Sequence, residues 1–297
     1  MTGDGQVTAL RRAVLAAAVL HDVEVTPADD GVDVAIEGTT WQLAWQDVGA
    51  LLSAAYGEPR AGAERFRAAV ALRQLALAAP DALLDRVRPV ALPRGHVLHP
   101  GPGWPHRSVL GGCLDVGVGL VPQPNPLDDG GVIDLRDPPP NTVQPLLEPV
   151  VRGTAWDAFA AADRAEYHLA RLGALAAERH RRNPDTPLRP VGEVDVVTLL
   201  ASATFRRAIV ADDPARMRPA AVPARHRGWL DLRRLDPAFA LAAAALTEPH
   251  ERGFDRPILI TADEIVQVRY GGDPRTPAVA DPVIGDYVQP PQRWPAG

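Results

Sequence analysis

Leu110-Gly111-Gly112-Cys113-Leu114-Asp115-Val116-Gly117-Val118-Gly119-Leu120-Val121 alternates in the period-two pattern of a β-strand. Leu114, Val116, Val118 and Leu120 fall on one face, and Cys113, Asp115, Gly117 and Gly119 on the other. Glycines in a strand let another backbone or a ligand approach closely. Around this strand the composition changes. No Ala occurs between Ala91 and Ala155 in an otherwise Ala-rich chain, and 13 of the 31 Pro fall between Pro89 and Pro149. An interior Pro costs a helix about 3 kcal/mol, so no helix longer than about three turns is expected between residues 92 and 150. The reading is an α+β fold: small antiparallel sheet elements packed against Ala-rich helices, with a Pro/Gly-rich central strand-and-loop segment.

Moving outward, Val32-Asp33-Val34-Ala35-Ile36 and Trp41-Gln42-Leu43-Ala44-Trp45 alternate across an intervening turn, which predicts a small antiparallel meander with a strand near Val23–Val25. A first helix is expected from a Thr8 cap to about Leu20, followed by helices over 46–56 and 61–79. Phe66, Ala69, Val70 and Ala76 share one face of the last of these. Pro80-Asp81 opens a short helix. Thr154 and Asp157 have capping-box spacing before a long helical pattern that reaches Arg182, with Gly173 as a point of bending. Another helix is expected over 195–209 and one after Asp236-Pro237. Strands close the pattern at 257–261 and 265–270, and Val132–Leu135 reads as a further strand. The chain divides into 1–91 (helix, meander and helices), 92–153 (strand and loop), 154–270 (helix-rich) and a tail over 271–297. These are expected to form one compact unit or two closely packed halves.

Composition excludes much chemistry. All 31 basic residues are Arg and none is Lys. Schiff-base chemistry and phosphate-loop lysines are therefore out. The single Cys rules out an intramolecular disulfide, a Cys-x-x-Cys pair and Cys-rich metal sites. Ser53, Ser108 and Ser202 sit in no Gly-x-Ser-x-Gly elbow. Arg11-Arg12 before an eight-residue apolar run resembles a twin-arginine signal, but His21-Asp22 follows where small residues would be needed for cleavage, so an amphipathic helix is expected. A cytoplasmic protein without a membrane span is expected, with a composition like that of a high-GC bacterium.

Three candidate sites stand out. His96, His99 and His106 lie within eleven residues, with Asp115 as a further ligand or orienting carboxylate. Their loop spacing fixes no geometry. In an extended segment His96 and His99 would be about 10 Å apart and on opposite faces, so no stoichiometric metal is expected. Cys113 with His106 as base and Asp115 nearby is the nucleophile candidate. Arg216, Arg218, Arg225, Arg227, Arg233 and Arg234, with only Asp231 as an acid between 214 and 235, are anion-binding candidates. The net charge of −6 argues against non-specific nucleic-acid binding. Gly117-Val118-Gly119 lacks the third glycine and the helix of a dinucleotide site. The expectation is a non-catalytic binding or accessory protein, without a cofactor, that meets a protein partner or itself. The first alternative is a metal-assisted hydrolase using the His96/His99/His106 loop. The second is a binder of an anionic ligand or nucleic acid through the 214–235 arginines.

Overall fold

A computed structural model of the chain describes residues 3–52, 59–96, 99–100, 104–121, 143–231, 237–248 and 251–267. It has the α+β fold, with helices and small antiparallel sheets. Two units form. One comprises Met1–Arg86, Pro100–Pro105 and Pro145–Ala161, and the other Val87–His99, His106–Gln144 and Ala162–Gly297.

In the first unit, β1 (Val25–Pro27), β2 (Gly31–Ile36) and β3 (Thr39–Ala44) make the expected meander, with Val34 opposite both Val25 and Trp41. Val32, Val34, Ile36, Trp41 and Leu43 are buried, as alternation requires. Helix α1 (Gly3–His21) runs through Thr8, so Thr8 lies inside the helix and does not cap it. It packs along α3 (Pro59–Ala78), whose Phe66, Ala69, Val70 and Ala76 are all buried. Helices α2 (Trp45–Leu51) and α4 (Pro80–Leu84) complete this part, with Pro80 in the first turn of α4. Two side chains hold α5 (Glu148–Val151) to the unit. The Trp41 indole N–H donates to the Pro149 carbonyl at 3.0 Å, and Arg73 donates to the carbonyls of Val150 and Arg152 at 3.1 and 2.6 Å.

The second unit holds two sheets. Strand β6 (Leu114–Leu120) lies between β4 (Val87–Pro93) and β5 (His106–Val109), all antiparallel. All seven residues of β4 and of β6 are buried. Sequence reading missed β4 because Pro89 and Pro93 break its pattern, yet a sheet edge tolerates proline. The strand β7 (Gln144–Pro145) leads out of this unit. Helix α6 (Ala158–Arg182) is capped by Asp157, whose Oδ1 accepts from the N–H groups of Phe159 and Ala160 at 2.9 and 3.0 Å. Thr154 bonds the Val151 carbonyl, so the cap is one residue type and three positions removed from the expected one. Nor does α6 split at Gly173. A Cβ there would collide with the Ser202 side chain, so glycine lets the chain after α7 (Val196–Leu200) come close. Ser202 separates α7 from α8 (Ala203–Ile209), where one helix was expected.

The second sheet runs β11 (Ile265–Gln267), β10 (Ile258–Thr261), β8 (Met217–Ala224), β9 (Arg227–Leu230). The Arg-rich stretch is therefore a hairpin in a sheet, hidden from sequence reading by Pro219 and Pro223. Helix α9 (Pro237–Leu246) follows; Asp236, the expected strand at 132–135 and the tail after 267 lie outside the described residues. Leu114 and Val116, Leu169 and Leu172 of α6, Val196, Val197, Leu199 and Leu200 of α7, Phe205 and Ile209 of α8, Val222 of β8 and Ile258 of β10 belong to one core.

This core also contains charge. Arg88 of β4 is 1% exposed and meets Glu193 at 2.6 Å; Arg225, 4% exposed, meets Asp195 at 2.5 Å. The second Asp195 oxygen caps α7 through the Thr198 N–H at 2.7 Å. The Thr198 hydroxyl accepts from the Ala91 N–H at 2.9 Å, satisfying a donor on the β4 edge.

Two outcomes are expected. Gly173→Ala should destabilise the protein by about 1–3 kcal/mol in urea unfolding despite the better helix propensity of Ala, because the new methyl overpacks the Ser202 contact; unchanged or raised stability would refute this reason for the glycine. Glu193→Ala should cost about 3–5 kcal/mol, and the double variant Glu193→Ala/Arg88→Met should recover part of that loss, since it no longer buries a guanidinium without its carboxylate. A double variant as unstable as the sum of the singles would count against this.

Candidate metal centre

The turn after β5 sets the geometry. Leu110, Gly111 and Gly112 all have positive φ, and the Gly112 and Cys113 N–H groups donate back to the carbonyls of Val109 and Leu110. This closes a hairpin in which Ser108 pairs with Asp115 and His106 with Gly117. His106 and Ser108, two residues apart, therefore face the same way as Asp115. Gly117 adds no side chain beside the imidazole. The Ser108 hydroxyl donates to Asp115 Oδ1 at 2.5 Å.

His99 arrives by a turn. The His96 N–H donates to the Pro93 carbonyl and the His99 N–H to the His96 carbonyl, so this segment is not extended as expected. The turn separates the two imidazoles by function. His96 Nε2 lies 2.8 Å from the Arg252 carbonyl. His99 Nε2 lies 3.2 Å from Asp115 Oδ2, and its ring meets His106 edge-on with centroids 5.0 Å apart. One donor atom from each of His99, His106 and Asp115 lies within 4.8 Å of the others. A tetrahedral ion with bonds of about 2.0–2.1 Å separates its donors by roughly 3.3 Å. The His99–Asp115 pair is already at that spacing, and the remaining closure is of side-chain rotation size.

The carboxylate suits this role. Burial opposes its ionisation, but the hydrogen bonds from His99 and Ser108 and the neighbouring charges of His106 and His99 outweigh it, holding the Asp115 carboxyl below the ordinary carboxylate range. It is thus an anion facing two imidazoles, a donor set typical of zinc and related divalent ions. Of the residues expected to matter here, the structure brings His99, His106 and Asp115 together and sends His96 elsewhere. Ser108 was missed as a partner of Asp115. Its signal was the Gly111-Gly112 turn, which fixes the pairing of 108 with 115.

Cys113 has different surroundings. Burial pushes its thiol pKa up, Glu264 acts the same way, and a hydrogen bond from the Gln267 backbone and the charge of Arg94 oppose without prevailing. A thiol held protonated is a poor nucleophile.

The four described arginines of 214–235 have partners within the chain. Arg225 pairs with Asp195; Arg216 and Arg218 donate to the carbonyls of Ala211 and Ile209 at 3.1 and 3.5 Å; Arg227 lies 5.2 Å from the Trp229 ring centre. Arg233 and Arg234 lie outside the described residues. No helix among the described residues is long and apolar enough to cross a membrane. No protein-family model, curated protein or solved structure matches this chain.

Arg225→Gln should cost about 3–5 kcal/mol of stability, because it leaves Asp195 without its buried counter-charge. Arg227→Gln, at an exposed cation–π contact, should cost under about 1 kcal/mol. Urea unfolding of both variants tests the contrast, and equal losses would show that Arg225 has no special structural role.

Proposed function

We propose that this protein binds one divalent transition-metal ion, of the zinc type, through His99, His106 and Asp115. The observation that carries the reading is the convergence of the three donor groups within 4.8 Å, with Asp115 already oriented by Ser108. Such an orienting hydrogen bond on a ligating carboxylate is worth about 10–100-fold in metal affinity at known sites. Two imidazoles and a carboxylate provide both the neutral nitrogen donors and the negative charge that a divalent ion needs. The set differs from the loop triad suggested by sequence, because Asp115 takes the place of His96. Spacing along the chain argued against a metal; the turn at 96–99 and the hairpin at 110–113 remove that objection.

His99 Nε2 and Asp115 Oδ2 already face each other across 3.2 Å, so an ion would enter between groups that the fold has brought together, with adjustment of side chains alone.

The test is elemental analysis and competitive zinc titration of chain purified without a His tag. About one zinc per chain is expected. His99→Ala, His106→Ala and Asp115→Asn should each lower affinity at least tenfold, while His96→Ala should leave it unchanged. Circular dichroism of each variant separates loss of ligand from loss of fold. Absence of zinc binding, or dependence on His96 equal to that on His99, would overturn the proposal.

A further inference from the structure

We infer that an ion held by His99, His106 and Asp115 keeps an exchangeable coordination position that takes a small anion or a carbonyl oxygen, making the centre a Lewis-acid site and not a closed structural one. This inference rests on the metal-binding reading above and adds what that ion can do.

Three observations support an open position. First, the donor group among the described residues has three members, whereas structural zinc sites have four protein ligands. Secondly, the other imidazole of this segment is committed elsewhere: His96 Nε2 is held at the Arg252 carbonyl, 2.8 Å away. Thirdly, the two Asp115 oxygens have different partners: Oδ1 receives the Ser108 hydroxyl at 2.5 Å and Oδ2 faces His99, so the carboxylate is turned to offer Oδ2 to an ion. A monodentate carboxylate and two imidazoles fill three positions. A tetrahedral ion then has one position over, and an octahedral ion three.

The ligand side chains are not fully enclosed: that of His99 is 19% exposed and that of Asp115 11%. The ligand class follows from the ion: a compact oxygen or nitrogen anion, or the oxygen of a polarisable carbonyl. Ser108 is here a positioning residue, acting on the ion only through Asp115.

The experiment uses the full chain loaded with cobalt(II), whose visible bands report coordination number and geometry. Sodium azide and acetohydroxamate are titrated into the cobalt protein. Saturable changes in the visible bands with each are expected, without loss of cobalt from the protein. Bands that do not respond while cobalt stays bound one to one would mean a filled shell and would overturn the inference, leaving the metal-binding reading intact. Failure to bind cobalt or zinc at all would overturn that reading instead. Ser108→Ala frees Oδ1 to join the shell, so the variant should bind cobalt yet take up azide at least tenfold more weakly. Equal azide affinity in the two proteins would overturn the part assigned to Ser108.

Discussion

Two carboxylates on one short turn organise the second unit. Glu193 receives the buried Arg88 of β4, and Asp195 receives the buried Arg225 at the end of the β8–β9 hairpin. Asp195 also caps α7, every residue of which is buried. The three residues from Glu193 to Asp195 thus tie an edge strand of one sheet, a hairpin of the other and the helix that packs in the common core. Buried ion pairs are not in themselves a large source of stability, since desolvation opposes their attraction. Their value here is placement. A guanidinium buried this deeply tolerates few alternative positions, so the strand that carries Arg88 and the hairpin turn that carries Arg225 are fixed relative to α7.

The candidate centre depends on that arrangement at one remove. Asp115 and the strand β6 are held on one side by β4, itself anchored through Arg88 and through the Ala91 bond to Thr198. On the other side the hairpin to β5 brings His106 and Ser108 onto the Asp115 face. The centre is therefore built on strands, with only His99 supplied from a turn. A site on a paired strand holds its side chains more narrowly than one on a loop, and this compensates for a donor set spread over 17 residues of sequence, from 99 to 115.

Much of the architecture was legible because it follows local periodicity. The alternation in β2 and β3 and the apolar face of α3 each gave the buried residues correctly, whereas β6 alternates in sequence but is buried on both faces. The α+β class followed from the Ala-free, Pro-rich middle. Strands β4 and β8 were not legible, because Pro89, Pro93, Pro219 and Pro223 interrupt patterns that only an edge position or an irregular pairing can accommodate. At the candidate centre the residue types were visible but their grouping was not. His96 and His99 look equivalent along the chain, and a single turn sends them to different partners. The cap of α6 falls on Asp157 and not on Thr154 for a similar reason, since which one caps depends on where the preceding turn ends.

The β5–β6 hairpin also has a meaning for transplantation. Residues 106–120 carry two of the three donors, the hydroxyl that orients the carboxylate and the glycine that leaves room beside the imidazole, all within one continuous ribbon closed by a tight turn. Their relation is set by strand pairing alone, so the pattern His-x-Ser, turn, Asp-x-Gly is a portable module. Any antiparallel ribbon with the same loop length would present it in the same geometry, needing only a third ligand from a neighbouring turn. A one-residue slip of the pairing would send His106 and Ser108 to the opposite side of the sheet from Asp115. Loop length in this hairpin therefore decides which side chains share a face of the sheet.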